Sequence, residues 1–460
     1  MKNSQRKKKL ESTQTQTYTQ TVSPFEGLEK AVVLQEARKF NEGDFVTRRP
    51  AQCRDILTKL LYLLYQNNRF TSDETTKVFF GCTKLFQSKN PNLRRMLYLF
   101  IKELAKATQA DEVIIVIQSL VKDMNSNDTL HAANAIRVLS KIVDSSMVTS
   151  IDRFFKQSIV HKDPVVSSAA LVSGLQLMVK DMKNAEVVRR WLSEVNEAVN
   201  GNDNEMVRGV HFHRSLTHIN HSNTNARTPT QVQYHGLCLL YRIRQHDTHA
   251  VTKLVMKLSR SSNLSSPLAI CQLVQYASQL LGKDNVSNTN KLALRDFLES
   301  CLRHKHEMVI YEAARALCRL EDMSSRDLSS AITVLSMFLT SSKSLLKFAA
   351  IRTLSQVAMK HPDAVARCNE EMEALINDSN RSIATLALTT LLKTGGENSV
   401  DRLMRQIGTF MGEIGDEFKI VVVRSVRSFH SNTTNNTVSL TRITVHLSIT
   451  NIACITHEYR

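Results

Sequence analysis

The sequence predicts an all-α fold in which pairs of helices stack on one another to form a solenoid. Three observations support this fold class. Residues that favour turns and strands are scarce, an aliphatic pattern recurs at intervals of about 36 or 37 residues, and capping residues mark the places where helices begin. Together they indicate helices along most of the chain, ordered in similar units.

The composition favours helices over strands. The chain has 460 residues, of which 42% are apolar and 22% charged, and it contains only 13 Gly and 7 Pro, with 6% aromatic residues. This balance excludes a wholly disordered chain and a collagen-like fibre. The shortage of turn formers and of large strand formers points to helices. The formal net charge of +17 favours acidic partners, such as an anionic membrane surface, nucleic acid or an acidic protein.

Aliphatic residues recur at a nearly constant interval from about residue 25 to about residue 423. Each follows a cap-like or acidic residue by about three positions, and a small or apolar residue comes four positions later. These anchors are Ile56, Leu93, Leu130, Val166, Val232, Leu268, Ile310, Leu346 and Ile383. Successive anchors lie 36 or 37 residues apart, except for intervals of 66 after Val166 and 42 after Leu268. This period lies close to those of the helix-pair solenoids and predicts an α-solenoid of the HEAT/armadillo type.

Helix starts fit the same register. Asn90-Pro91, Asp163-Pro164 and Ser266-Pro267 each place a capping side chain before a proline at the first helical position. Alanines recur in the first helix of each unit, where they would let neighbouring helices approach closely. These alanines are Ala132, Ala133, Ala169, Ala170, Ala313, Ala314, Ala349, Ala350, Ala384 and Ala387.

Three segments depart from the pattern. Residues 1–23 form a Thr/Gln-rich leader that is too polar to bury a core and is predicted to be disordered. Residues 208–230 form an irregular insert, which accounts for the interval of 66 residues. Residues 424–460 form an irregular tail rich in Ser, Thr and Asn. We therefore predict a solenoid over residues 24–423, interrupted by the insert, and interpret the insert and the tail as foreign to the packed units.

Cysteine use and the lack of targeting signals indicate a cytoplasmic chain. The eight cysteines are scattered without a CxxC pair, which is typical of small buried residues in a reducing compartment. No apolar stretch of a signal peptide follows the basic start, and Lys2 stands where myristoylation requires glycine. No apolar run approaches the length of a bilayer span, so we expect a soluble protein.

Four blocks of sequence resemble the trunk of the coatomer gamma subunit family. They are residues 90–105 (NPNLRRMLYLFIKELA), 305–317 (KHEMVIYEAARAL), 349–362 (AAIRTLSQVAMKHP) and 377–418, which begins NDSNRSIATLALTTLL. The resemblance covers about residues 23 to 423 and leaves out the leader, the insert and the tail. It implies an adaptin-type trunk. Because the family continues into further helix pairs, a linker and an appendage domain, it also implies a truncated trunk.

The resemblance implies a function as well. Members of the family are structural subunits of the COPI coat, which forms vesicles on Golgi membranes for retrograde and intra-Golgi transport. Their trunk binds the small zeta subunit, beside other coatomer subunits, and docks an Arf-family GTPase in the GTP state. We therefore expect a non-enzymatic protein in the cytoplasm, peripheral on Golgi membranes and COPI-coated vesicles. The alternative is a general α-solenoid adaptor or transport receptor for protein cargo, although a receptor for basic cargo fits poorly with a charge of +17.

The segment from Asp111 to Gln118 is the candidate binding site. It is predicted to begin a helix that is apolar on nearly all sides. Two interpretations remain open: neighbouring helices cover it, or an exposed strip receives a partner. Related adaptor trunks resemble this segment and contact their GTPase through aliphatic residues that correspond here to Ile114 and Ile117. Three positions apart, these two project to one side of a helix. The resemblance thus implies that they bind the Arf-family GTPase.

The remaining candidates are weaker. The insert contains His211, His213, His218 and His221 at a spacing that could ligate zinc. Neither a cysteine nor an acidic residue accompanies them, so solvated side chains are the preferred interpretation. Basic clusters such as Arg94-Arg95 are typical of solvated helix faces and could assist binding to anionic membranes. Nucleotide-binding, hydrolase and nucleic-acid-binding motifs are absent, so we predict no catalytic residue, cofactor, metal site or nucleic-acid partner.

Overall fold

The computed structural model describes residues 27–66, 70–107, 110–200, 230–260, 264–321 and 323–395, together with positions 25, 412, 415, 419, 420 and 422. The predicted leader, the insert up to residue 229 with its four histidines, and the predicted tail lie outside the described residues. Thr230, the last residue of the predicted insert, is the first residue of a helix. Every regular element in the described ranges is a helix. The predicted all-α fold class is confirmed there.

The chain divides into two compact units, residues 1–195 and 196–460. The helices up to this division are α1 (Lys30–Ala37), α2 (Phe45–Arg48), α3 (Pro50–Tyr65), α4 (Ser72–Leu85), α5 (Pro91–Ala107), α6 (Ala110–Met124), α7 (Thr129–Ile142), α8 (Ser145–Ile159), α9 (Pro164–Lys180), α10 (Met182–Arg189) and α11 (Leu192–Asn200), whose range includes the division. The later helices are α12 (Thr230–Arg244), α13 (Thr248–Arg260), α14 (Pro267–Leu281), α15 (Asn288–Cys301), α16 (Glu307–Arg319), α17 (Ser329–Leu339), α18 (Ser344–Val357), α19 (Pro362–Val365), α20 (Asn369–Leu375) and α21 (Arg381–Thr394).

Each unit stacks its helices in two layers. In the first unit, α3, α5, α7 and α9 contact one another in succession as one layer, and α4, α6, α8 and α10 form the other. In the second unit, the first layer consists of α12, α14, α16, α18 and α21. The second layer contains α13, which contacts α15, and α17, which contacts α20. Contacts between sequential helices join the two layers. This is the arrangement of stacked helix pairs in an α-solenoid.

Capping side chains start the helices where the sequence predicts them. The side-chain oxygens of Asn90, Asp163 and Ser266 accept hydrogen bonds from backbone N–H groups of the first helical turn. The N···O distances are 3.0, 2.8 and 3.4 Å. Asp128 and Asp144 cap α7 and α8 in the same way, at 2.9 Å each. These bonds satisfy donors that have no partner within the helix, and each proline tolerates the first position because its missing N–H would be unpaired there.

Small residues fill the contacts between first-layer helices. The predicted alanines are buried, apart from Ala349, which is half-buried. Ala313 and Ala314 in α16 and Ala350 in α18 show no exposed surface at all. Side chains of this size allow helix axes to come close without a void, because ridges and grooves of neighbouring helices can interdigitate. The prediction of close packing at these positions is confirmed.

The anchors of the recurring pattern are only partly buried. Five lie in the core: Ile56, Leu93, Val166, Val232 and Ile383. Leu268 is the clear exception, since it is 46% exposed while the next residue, Ala269, is fully buried. Consecutive helical residues point about 100° apart, so a pattern that favours the larger aliphatic residue selects Leu268 over Ala269. The recurring interval therefore predicts where helices begin, but the residue that it selects for the core can be one position away from the residue that is buried.

The first unit ends in a buried aromatic pair. Trp191, the single tryptophan of the chain, is fully buried between α10 and α11. Its ring stacks on Phe155 of α8, with centroids 5.3 Å apart and planes 15° from parallel. The indole N–H donates to the carboxylate of Asp152, so the one polar atom of this ring is satisfied.

Candidate partner-binding surface

Helix α6 lies in the second layer of the first unit, where it contacts α4 and α8 and also packs on α7 of the first layer. Val113, Val116 and Leu120 are buried. They stand at positions i, i+3 and i+7, the spacing of a single helix face. This buried stripe provides the core contact of α6 and accounts for only part of its apolar surface.

Ile114 and Ile117 form a second stripe beside the buried one. Ile114 is 52% exposed, whereas Ile117 and Val121, three and seven positions further on, are half-buried. The two interpretations left open by the sequence therefore apply to different residues of the same segment. Val113 and Val116 belong to the core, and Ile114 presents its side chain outside it. The described part of α6 thus combines one buried and one partly exposed aliphatic face.

A buried charged cluster joins the last turn of α6 to α5. Arg94 of α5 is 1% exposed, and its guanidinium donates to the carboxylate of Asp123 in α6 and to the backbone carbonyl of Phe86. It also donates to the Tyr98 hydroxyl at 2.7 Å, and that hydroxyl donates to Asp123 at 2.7 Å. Charge-assisted bonds of this kind are stronger than neutral ones. They hold α6 against α5 and so fix the direction in which its exposed stripe points.

The electrostatics of the cluster follow from its burial. Burial and the neighbouring Asp123 carboxylate raise the pKa of the Tyr98 hydroxyl, which therefore remains a donor. The Arg94 guanidinium lies over the rings of Phe86 and Tyr98, 5.0 and 5.3 Å from their centroids. Asp123 stands in the last turn of α6, where the helix dipole disfavours a carboxylate. Arg94 supplies the positive charge that offsets this cost.

The position of Arg94 corrects one prediction. The sequence predicts that Arg94-Arg95 is a solvated basic cluster that assists binding to anionic membranes. Arg95 is exposed, but Arg94 is enclosed by Phe86, Tyr98 and Asp123. Tyr98 follows Arg94 by four positions and so lies on the same helix face. The proximity of Arg94 and Tyr98 can therefore be predicted from the local sequence. The contact of Arg94 with Asp123, 29 residues away, can be identified only from the structure.

Phe80 is an exposed apolar residue outside the predicted binding segment. It belongs to α4, which contacts α6 within the second layer, and it is exposed, whereas the preceding Phe79 is fully buried. Two adjacent phenylalanines in a helix cannot both face one core, because they point about 100° apart. That dipeptide is the signal from which Phe80 could have been found. It adds an exposed apolar side chain to this layer, besides Ile114 of α6 and Met182 of α10.

The cysteines have the character of core residues. The seven in the described ranges are unpaired; five are buried, and Cys238 and Cys318 are half-buried. Burial raises the pKa of Cys53, Cys271 and Cys301 to about 11, so these thiols stay protonated and unreactive near neutral pH.

In the described ranges, His, Cys, Asp and Glu side chains nowhere gather in a group of three or more that could hold a metal ion. Of the helices in the same ranges, none is both long enough and apolar enough to span a bilayer.

Comparisons with known proteins define the class. The sequence matches the family described as Adaptin N terminal region over residues 29–452. One chain of a homology model of the full-length AP-3 complex in an intermediate open conformation has the same fold, with a TM-score of 0.60 and 15% sequence identity. The match covers 83% of this chain and 65% of that one. The protein belongs to the adaptin N-terminal family, and its fold is the α-solenoid of an adaptin-type trunk.

The particular relatives are coatomer gamma subunits. Coatomer subunit gamma of Arabidopsis thaliana is 53% identical over 407 residues, which is 88% of this chain and 42% of the relative. Coatomer subunit gamma-1 of Homo sapiens is 48% identical over 404 residues, with the same two coverages. The chain therefore spans less than half the length of these relatives. The predicted resemblance to the coatomer gamma family is confirmed.

Proposed function

We propose that the protein is a structural subunit of the COPI vesicle coat. In this role it binds the zeta subunit and a GTP-loaded Arf-family GTPase, and thereby places coatomer on Golgi membranes for retrograde and intra-Golgi transport. The observation that carries the proposal is the identity of about half of all residues to coatomer gamma subunits over 88% of this chain.

The exposed stripe of α6 is the surface that we assign to the GTPase. Ile114 offers an aliphatic side chain outside the core, and Ile117 extends it along the same side of the helix. Exposed aliphatic side chains on a rigid support are suited to a partner whose switch segments become ordered only in the GTP state. The Arg94–Asp123 ion pair provides that rigidity. The protein then acts by binding alone, without a catalytic residue, cofactor or metal, and reaches the membrane as a peripheral component.

Substitution of Ile114 tests this assignment. Ile114→Asp places a charge in the centre of an apolar contact, and we expect the affinity for GTP-loaded Arf to fall about 10-fold to 100-fold, equivalent to about 1.4 to 2.7 kcal/mol. Because Ile114 is half-exposed, circular dichroism and thermal unfolding should remain those of the unchanged protein. Affinity is measured by calorimetry, and recruitment by flotation with liposomes that carry the GTPase.

Two control variants frame the result. Val179→Asp changes an aliphatic residue of α9, in the other layer of the same unit, that is more exposed than Ile114. It should leave GTPase binding intact. Val116→Asp changes a fully buried neighbour and should unfold the unit. If Ile114→Asp remains folded and binds the GTPase normally, the docking surface lies on another helix. Loss of binding with the Val179 variant as well would show a non-specific effect of charge.

A further inference from the structure

Three neighbouring helices of the second unit expose an apolar side chain at the same position. The second residues of α14, α16 and α18 are Leu268, Met308 and Leu345, which are 46%, 46% and 77% exposed. In α14 and α16 the next residue, Ala269 or Val309, is fully buried and supplies the core contact at that helix start. We call these three side chains the apolar row. Exposed apolar side chains that cluster in this way mark interaction sites more often than single exposed ones do.

The stacking of the helices makes the three positions adjacent. Helix α14 contacts α16, and α16 contacts α18. The starts of α16 and α18 are joined directly, since Lys343 donates to Glu307 at 2.5 Å. Further along, Gln275, the ninth residue of α14, donates to Glu312, the sixth residue of α16, at 3.1 Å, which is consistent with helix starts that lie within about one helical turn of each other. The apolar row therefore crosses three helices near one edge of the first layer.

The apolar row has defined ends. Helix α12 carries Gln231 at the second position, and α21 carries Ser382 there. Both flanking residues are polar, so the apolar surface is limited to the three central helices. A limited strip with polar borders has the composition of a small protein interface, in which an apolar centre is surrounded by a polar rim.

The charges beside the apolar row are predominantly positive. Arg303 and Lys305 are exposed in the loop that leads into α16. Glu307, the acidic residue at the start of that helix, is already paired with Lys343. Helix starts add a partial positive charge of their own. The edge therefore favours a partner with negative charges on either side of an apolar strip.

The spacing of the row indicates the shape of that partner. Axes of packed helices lie about 8 to 10 Å apart, and an α-helix advances about 10.5 Å in seven residues. A helix that lies across α14, α16 and α18 would thus meet successive members of the row with side chains at i, i+7 and i+14. We propose that the apolar row binds an acidic amphipathic helix of a partner protein, with apolar residues in this heptad register.

The proposal is independent of the GTPase assignment, because the apolar row lies in the second unit and Ile114 in the first. It is tested on the full chain with a fluorescein-labelled helical peptide of about three heptads that has leucine at i, i+7 and i+14 and glutamate on both sides of that line. A matched peptide carries lysine in place of each glutamate. Fluorescence anisotropy should show the acidic peptide binding at least about tenfold more tightly than the basic one.

Variants of the protein decide whether the row itself is responsible. The triple change Leu268→Ser, Met308→Ser and Leu345→Ser should weaken binding of the acidic peptide at least about tenfold while circular dichroism stays unchanged. The matched control changes three comparably exposed apolar residues of the same unit, Leu292→Ser, Met337→Ser and Met359→Ser, and should leave binding as it was.

Four outcomes would overturn the proposal. In the first, the acidic peptide fails to bind. In the second, the control triple weakens peptide binding as much as the row triple does. In the third, the row binds a membrane surface instead of a helix. This third outcome is measured with vesicles of phosphatidylcholine and phosphatidylserine. Vesicle binding that is lost in the row triple, in the absence of peptide binding, would assign the row to lipid. A protein that unfolds in the row triple would show that these side chains are needed for the core, which also contradicts their assignment to a partner.

Discussion

Arg94 carries a positive charge that is almost completely buried between α5 and α6. Its partners are Asp123, the Tyr98 hydroxyl and the backbone carbonyl of Phe86, so three polar groups depend on one side chain. A buried ion pair is costly to form, but removing one member is costlier, because the other is left without compensation. Arg94 is therefore a positioning residue for α6, although it touches no partner itself.

Substituting Arg94 should destabilise the first unit strongly. Arg94→Ala leaves Asp123 without its positive partner in a site that is 14% exposed, and we expect a loss of about 3 to 5 kcal/mol in the free energy of unfolding. Arg95→Ala is the matched control, because it removes the neighbouring exposed arginine and should change stability by about 0.5 kcal/mol or less. Urea unfolding followed by tryptophan fluorescence measures both. Equal stability of the two variants would contradict the role assigned to the cluster.

At this scale the sequence predicts surface residues better than buried polar contacts. The segment from Asp111 to Gln118 was singled out because a helix that is apolar on nearly all sides has more aliphatic surface than one core face can use. Ile114 and Ile117 within it were implied by the resemblance to related adaptor trunks. Arg94 was misread, because a pair of arginines in a helix is usually solvated and the contact that buries it comes from a different helix. Long-range charge pairing leaves no periodic trace in the sequence.

Helix starts are the elements that the sequence determines most directly. Asp144 illustrates the contact, since its carboxylate accepts the backbone N–H of Met147 at 2.9 Å and the hydroxyl of Ser146 at 2.9 Å. The backbone N–H of Met147 is the main reason why the pKa of this carboxyl lies below its ordinary value. A cap involves only neighbouring residues, so its signal is local.

Removing the cap of α8 should have a modest and pH-dependent effect. Asp144→Ala should cost about 1 kcal/mol of stability near pH 7, measured by urea unfolding. The lowered pKa means that this stabilisation is present above the ordinary carboxyl pKa and is lost as the pH falls through the lowered value. The difference between the two proteins should therefore shrink towards acid pH.

Asp55 offers the control for this prediction. It is an exposed carboxylate within α3 that accepts hydrogen bonds from the guanidinium of the adjacent Arg54. Asp55→Ala should change stability by a few tenths of a kcal/mol at most. A difference between the unchanged protein and Asp144→Ala that stays constant down to acid pH would show that the carboxylate charge does not contribute to the cap.

The division of each helix into buried and exposed faces was less predictable than its start. The third residues of α14 and α16, Ala269 and Val309, are fully buried, whereas the larger residues that precede them are 46% exposed. Which of two adjacent apolar residues is buried depends on the neighbouring helix. Where the axes of two helices approach closely, the smaller residue is the one that fits between them. Leu268 and Met308 of the apolar row are the exposed neighbours of Ala269 and Val309.

At the scale of the whole molecule, each of the two compact units has its own two-layer core, and the long first layer of each repeats one kind of contact. A fixed period indicates such an architecture well, since each unit packs mainly on its neighbours. The binding partners of the protein cannot be predicted from this repeat length. They were predicted from the resemblance to a family, and for zeta and the GTPase this stays a prediction.

Binding of zeta can be tested on the whole chain. We expect the protein to co-purify with the coatomer zeta subunit and to elute with it on gel filtration at micromolar concentration, because an obligate-type interface buries a large area. The Ile114→Asp variant should retain zeta, since its change is confined to the exposed stripe of α6. Elution of the two chains as separate species would count against the proposed role in the coat, and loss of zeta with Ile114→Asp would place both partners on one surface.

Trp191 gives the protein an internal optical probe. It is the single tryptophan, and it is fully buried against Phe155 with its indole N–H bound to Asp152. Light at 295 nm therefore excites one environment only, at the end of the first unit. Emission should shift to the red when that unit opens, whatever the state of residues 196–460. Circular dichroism averages over both units, so the two signals recorded together would distinguish opening of the first unit from unfolding of the whole chain.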